Sequence, residues 1–149
     1  MAIVAVFAGL ASIRLTTPSI PFFDEVHYLP AARELLEVWR GGEAPYDNRE
    51  HPLLGKTLIA GGMAVFGDNP LGWRVMSVIA GTLGMGASMR AMWHASEDRF
   101  ATVAFGILLA TGFHLFVHTR IAMLDIFIVS ALAVAAWGFA SAIRKPEQG

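Results

Sequence analysis

An all-α, polytopic membrane protein is what this sequence predicts, and three observations predict it. Of 149 residues, 55% are hydrophobic and 15% charged, against about 25% charged in ordinary globular domains, and mean hydropathy is +0.54. The apolar residues come in blocks approaching or reaching bilayer thickness, not in short periodic stripes. The charges collect at the block ends, where they are costly unless solvated or used. A net charge of −1 gives no argument for a nucleic-acid partner, and the absence of cysteine excludes disulfides and thiolate zinc sites.

Residues 1–13 form the first block, apolar apart from Ser12. At about 1.5 Å per residue it covers roughly 20 Å of a core about 30 Å thick. It lacks the basic start of a signal peptide, so it reads as the outer part of a first spanning helix whose start is missing. Residues 71–93 are the second span, with Arg74 near one end and Arg90 near the other. Ala80, Gly84 and Ser88 recur along it at four-residue spacing, with Gly81 alongside, which lets helix backbones approach closely in lipid. Residues 100–119 are the third span and 121–143 the fourth, with Asp125 near its start and Arg144-Lys145 after its end.

Short-loop charge sets the orientation. Arg90 and Arg99 flank the connection between the second and third spans, opposed by Glu97 and Asp98, and Arg144-Lys145 closes the fourth. With both on the cytoplasmic side, residues 14–70 form an outer loop, and Asp24 and Asp125 emerge on the same outer face.

That loop has structure of its own. Pro18 and Pro21 discourage continuation of the first helix. Residues 29–40 read as an amphipathic helix lying in the interface, with Pro30 in its first turn and Gly41-Gly42 ending it. Ala32, Leu35, Leu36 and Trp39 form one face; Arg33, Glu37 and Arg40 form the other. Residues 55–66 suit a second interfacial or re-entrant segment. The competing reading, a genuine span, moves Asp125 to the opposite side.

The chemistry sits in two clusters of the loop. Phe22-Phe23-Asp24-Glu25-Val26-His27-Tyr28 follows the first block, and Glu50-His51-Pro52-Leu53-Leu54-Gly55-Lys56 precedes the next apolar stretch. A carboxylate pair facing a His/Lys cluster suits an anionic, lipid-linked substrate: a base for the acceptor and cations for a phosphate. Each residue also has a plainer reading. Asp24 can be a solvated interfacial carboxylate, Lys56 and Arg74 can be snorkelling cations, and Arg120 can neutralise Asp125. His114 and His118 share a helical face, but without a third ligand they read as packing residues, so no metal site is expected. Gly-rich phosphate loops, His-Glu-x-x-His and Gly-x-Ser-x-Gly are absent from the sequence.

Four motifs in order carry a resemblance: Phe23 to Tyr28; His51-Pro52-Leu53-Leu54-Gly55-Lys56; Phe66-Gly67-Asp68-Asn69-Pro70-Leu71-Gly72-Trp73-Arg74; and Met123-Leu124-Asp125. The chain resembles the N-terminal part of the protein O-mannosyltransferase family and its bacterial relatives, including the aminoarabinose transferases that modify lipid A. These are GT-C membrane glycosyltransferases that use polyprenyl-phosphate sugars. The family's usual His-Pro-Pro-Leu-Gly-Lys is altered here, since Leu53 replaces the second proline, which touches loop rigidity more than chemistry. Members carry many more spans, so the chain reads as the front third of such an enzyme.

The resemblance implies Asp24 as the catalytic base and Asp125 as a second acid lining the same pocket; Glu25 joins this catalytic set as a supporting or structural partner, since neighbouring residues rarely point into one pocket. It implies His51, Lys56 and Arg74 as contacts to the donor phosphate; in the aminoarabinose transferases a lysine stands where His51 does. The expected function is inverting transfer of a sugar from a polyprenyl-phosphate donor to a protein hydroxyl or a lipid. No cofactor is expected, and the enzyme is expected in a bacterial inner membrane with its site facing outward. The rival reading is a non-catalytic membrane subunit or transporter in which Asp24, Arg74 and Asp125 line a solute path. Such a protein should show internal repeats, and this chain shows none.

Overall fold

A computed structural model describes residues 2–45 and 48–144, so Met1 and Lys145, used above, lie outside the described residues. Seven helices run in order: α1 (Ala2–Ser12), α2 (Glu25–Trp39), α3 (Leu53–Phe66), α4 (Pro70–Ser96), α5 (Arg99–Thr111), α6 (Phe113–Arg120) and α7 (Asp125–Arg144). There is no strand among the described residues. The protein is an all-helical membrane protein. Among the described residues two helices, α4 and α7, are long and apolar enough to cross a bilayer, or three spans result if α5 and α6 count as one.

Helix α4 is the axis, and α1, α3, α5, α6 and α7 all pack on it. Asn69 starts it by accepting the backbone N–H groups of Leu71 and Gly72, and Pro70 occupies the first turn, where its missing N–H costs nothing. The small residues of α4 seat its neighbours. A Cβ on Gly84 would come within 2.6 Å of Ser130 Oγ on α7, and one on Gly81 would strike Thr119 on α6. Ser130 then donates to the Ala80 carbonyl at 2.7 Å, a bond between helices made possible by that approach.

The largest departures from the sequence reading are three. Residues 100–119 are not one straight helix, because the chain bends by 57° between α5 and α6. Gly112 takes an extended conformation there, and Thr111 turns its hydroxyl back onto the Ile107 carbonyl. A poor helix former beside a back-bonding threonine is a weak point in the ladder. The fourth apolar block begins its helix at Asp125, not at residue 121; residues 121–124 form a buried, non-helical link. Helix α2 begins at Glu25, one turn earlier than expected, which leaves Pro30 inside the helix instead of in its first turn. It ends as read: Gly41 takes φ +85° and the Gly42 N–H returns to the Glu37 carbonyl at 2.9 Å.

The apolar core joins Tyr28, Leu29, Ala32 and Leu36 of α2 to Ile59, Ala60 and Met63 of α3. Trp73 of α4, Ala122 and Leu124 of the link before α7, and Ile126 and Phe127 of α7 complete it. The loop helices are therefore seated on the spans and carry their polar residues to one end of α4.

Candidate functional site

Arg74 organises that end. It lies in the second turn of α4, 1% exposed. Its Nε and Nη2 grip the two oxygens of Glu25, each at 2.7 Å. Nη1 donates to the carbonyls of Leu15 (3.0 Å) and Pro18 (2.8 Å), and Nη2 also reaches that of Ile20 (3.4 Å). A guanidinium has five N–H groups, and all five are engaged. Glu25, 0% exposed, is equally committed, accepting the backbone N–H groups of Phe22 (3.0 Å) and Ala122 (2.9 Å) as well. The pair ties the loop after α1, the start of α2, α4 and the α6–α7 link to a single point.

The clamp bears on two expectations: Arg74 as a donor-phosphate contact, and Glu25, grouped with the catalytic acids, as a supporting or structural partner of Asp24. In the structure neither side chain has hydrogen-bonding capacity left to face a substrate, and their geometry is that of a clamp.

Asp24 sits beside the clamp but outside it. Half-buried at the N-terminus of α2, its carboxylate takes no hydrogen bond or ion pair from the described residues. One turn on, at the i+4 position, Tyr28 shares its helix face. The Tyr28 phenol is held above its ordinary pKa by burial first, then by the negative fields of Asp24 and Asp125. Its ring meets that of His51 edge-on, with centroids 5.5 Å apart. Tyr28 thus packs on His51 and lies within the fields of both Asp24 and Asp125. Tyr28 has no role in the sequence reading; its i+4 spacing from Asp24 is the signal that the sequence offers.

Asp125 is exposed on the first turn of α7, where a carboxylate is favoured by the helix dipole. Arg120 does not neutralise it. That guanidinium closes the C-terminus of α1 instead, donating to the carbonyls of Leu10 (2.9 Å), Ala11 (3.0 Å) and Ile13 (2.7 Å). Lys56, 0% exposed in the first turn of α3, donates from Nζ to the Asn48 carbonyl, which also receives the His51 backbone N–H at 3.5 Å. Lys56 therefore lies behind the turn that presents His51. The start of α3 abuts the start of α7, since a Cβ on Gly55 would come within 2.6 Å of Leu124 Cδ2. An apolar groove of 380 Å³ opens between these helices, rimmed by Pro52 next to His51 and Leu124 next to Asp125.

A second polar network braces α2 against α4. Arg33 makes a two-pronged contact with Asp68 (2.7 and 3.1 Å), and Trp73 Nε1 donates to the same carboxylate at 2.6 Å. The Arg33 hydrogen bond, outweighing partial burial and helped by Trp73, holds the Asp68 carboxyl below its ordinary pKa. His114 and His118 meet ring to ring at 5.5 Å, and no described group of three His, Asp or Glu residues could hold a metal ion.

The model of the dolichyl-phosphate-mannose-protein mannosyltransferase family matches residues 50–149, two-thirds of the chain. The chain belongs to this family. Three curated relatives share the name polyprenol-phosphate-mannose–protein mannosyltransferase. The one from Corynebacterium glutamicum is 41% identical over 99% of this chain, that from Mycobacterium tuberculosis 36% over 93%, and that from Mycolicibacterium smegmatis 35% over 91%. The chain spans only 29%, 26% and 28% of their respective lengths. No solved structure matches it. The family match includes His51, Lys56, Arg74 and Asp125, while Asp24 and Glu25 lie upstream of it, within the span covered by the relatives.

Proposed function

We propose that the protein is a membrane glycosyltransferase that moves mannose from a polyprenyl-phosphate donor to a protein hydroxyl, with Asp24 as general base. The observation that carries this is the contrast between two adjacent acids. Glu25 is buried and fully bonded, whereas Asp24 is left without a partner beside Tyr28, His51 and Asp125. Asp24 accepts the proton of the acceptor hydroxyl. That oxygen attacks the anomeric carbon from the face opposite the phosphate, the bond from carbon to phosphate oxygen breaks, and polyprenyl phosphate leaves with the electron pair. The configuration at the sugar inverts. His51 meets the departing phosphate, with the Lys56 charge behind it. Asp125 faces the sugar, and the protonated Tyr28 supplies an O–H between the acids.

The names of the relatives support mannose, the lipid phosphate and a protein acceptor, and the apolar helices support a membrane setting. We further propose that the site faces outward across a bacterial inner membrane. Asp24→Asn preserves shape but removes the proton acceptor. Transfer from a polyprenyl-phosphate mannose donor should fall by about 10²–10⁴-fold, the usual worth of a general base, with donor binding little changed. A correctly inserted Asp24→Asn enzyme that still transfers mannose at the wild-type rate would remove the base assignment.

A further inference from the structure

The opposite end of α4 holds a cleft that this reaction does not use. It lies between α1, α4 and α5 and measures 320 Å³. Arg90 and Trp93 enter it from α4, and Arg99 and Thr102 from α5; Val4 and Met89 give it apolar walls. Among the described residues neither arginine has a carboxylate or hydrogen-bond partner; Arg90 only lies over the Trp137 ring, 5.8 Å from its centroid. The nearby acids are already engaged. Glu97 pairs with Arg144 at 2.9 Å, and Asp98 accepts the Phe100 N–H at 2.7 Å to cap α5. Arginines from two helices therefore line one cleft that no carboxylate lines, and neither is held by an acid.

We propose that this cleft binds the headgroup of an anionic phospholipid. A phosphodiester matches the forked donors of two arginines, the apolar walls take the start of the acyl chains, and a tryptophan is at home at the headgroup level. Basic pockets between membrane helices on the cytoplasmic side bind acidic headgroups by this chemistry. Gly86 keeps the cleft open: the nearest atom to a Cβ built there is Val4 Cγ1 at 4.0 Å. A larger side chain at that position fits the backbone while filling the space.

The test uses protein purified in non-ionic detergent and stripped of lipid. It is titrated separately with phosphatidylglycerol, phosphatidylcholine and inorganic phosphate, bound molecules being counted by native mass spectrometry. Phosphatidylglycerol should be retained in preference to phosphatidylcholine, and inorganic phosphate should not compete with it. Arg90→Gln combined with Arg99→Gln should weaken phosphatidylglycerol binding by about tenfold or more, as loss of charged hydrogen bonds predicts. Gly86→Leu should weaken it without altering any charge, and it carries the test should the arginine variant fail to fold. Equal retention of the two lipids, displacement by inorganic phosphate, or unchanged phosphatidylglycerol binding by Gly86→Leu overturns the proposal.

Discussion

Asp24 and Glu25 are neighbours with the same functional group, and about 100° of helix rotation sends them to different environments. Glu25 turns inward onto Arg74, while Asp24 stays half-buried one turn before Tyr28. This separation explains why an ion pair at the membrane end can matter without touching a substrate. Breaking a buried pair leaves an uncompensated charge, at a cost of about 3–5 kcal/mol. Arg74→Ala should therefore lower the thermal midpoint of the detergent-solubilised protein and the yield of inserted protein. Arg74→Lys should recover little, because three donors on one nitrogen cannot serve the Glu25 carboxylate and three carbonyls. A phosphate ligand would behave differently, raising the donor KM while leaving the folded state intact. An Arg74→Ala protein as stable as the wild type, with only its donor KM raised, would contradict the clamp.

The helices show which parts of this arrangement could be read ahead of the structure. The position of α4, its small-residue face, the short outer helices and the stop at Gly41-Gly42 follow from block length, spacing and local chemistry, all of which are visible along the chain. The bend at Gly112 was not legible, because hydropathy runs through it unbroken and only backbone geometry reveals it. The partners of Arg74 and Arg120 were equally hidden, since both arginines reach carbonyls roughly 55 and 110 residues away in sequence. The contact of α2 with α4 was also invisible, and it is open to a pH test. Because the folded Asp68 carboxyl lies below 3.8, its bonds to Arg33 and Trp73 stabilise the protein above that pH and are lost as pH falls through the folded value. The thermal midpoint should drop across that window, and Asp68→Asn should flatten this part of the profile. The pair is partly exposed, so the step should be small. A profile identical in wild type and Asp68→Asn would show that the network adds nothing to stability.

For the molecule as a whole, the decisive quantity is which end of α4 faces out. With 27 residues, α4 extends about 40 Å, more than the roughly 30 Å hydrocarbon core, so its two ends must lie in different aqueous layers if it spans. The first end carries the clamp, Tyr28 and both candidate acids; the second carries Arg90, Arg99 and the Arg144–Glu97 pair. The loop-charge rule favours the cytoplasmic side for the basic end, and the outward-facing site proposed above rests on that orientation. Helix α3, with 14 residues and about 21 Å, is shorter than the hydrocarbon core, and the proposed topology has it lie in the interface with α2 and the site on one side of the membrane. The sequence has no cysteine, so single reporters can be introduced without background. Glu43→Cys, in the exposed stretch after α2, should react with an impermeant maleimide added to intact cells, whereas Ala95→Cys, exposed near the far end of α4, should react only after the membrane is opened. Labelling of Ala95→Cys from outside, with Glu43→Cys protected, would invert the topology and move the proposed transfer to the cytoplasmic face. Labelling of both from the same side would mean that α4 does not span, and it would separate the buried Arg74–Glu25 clamp from any role in holding a site at the membrane surface.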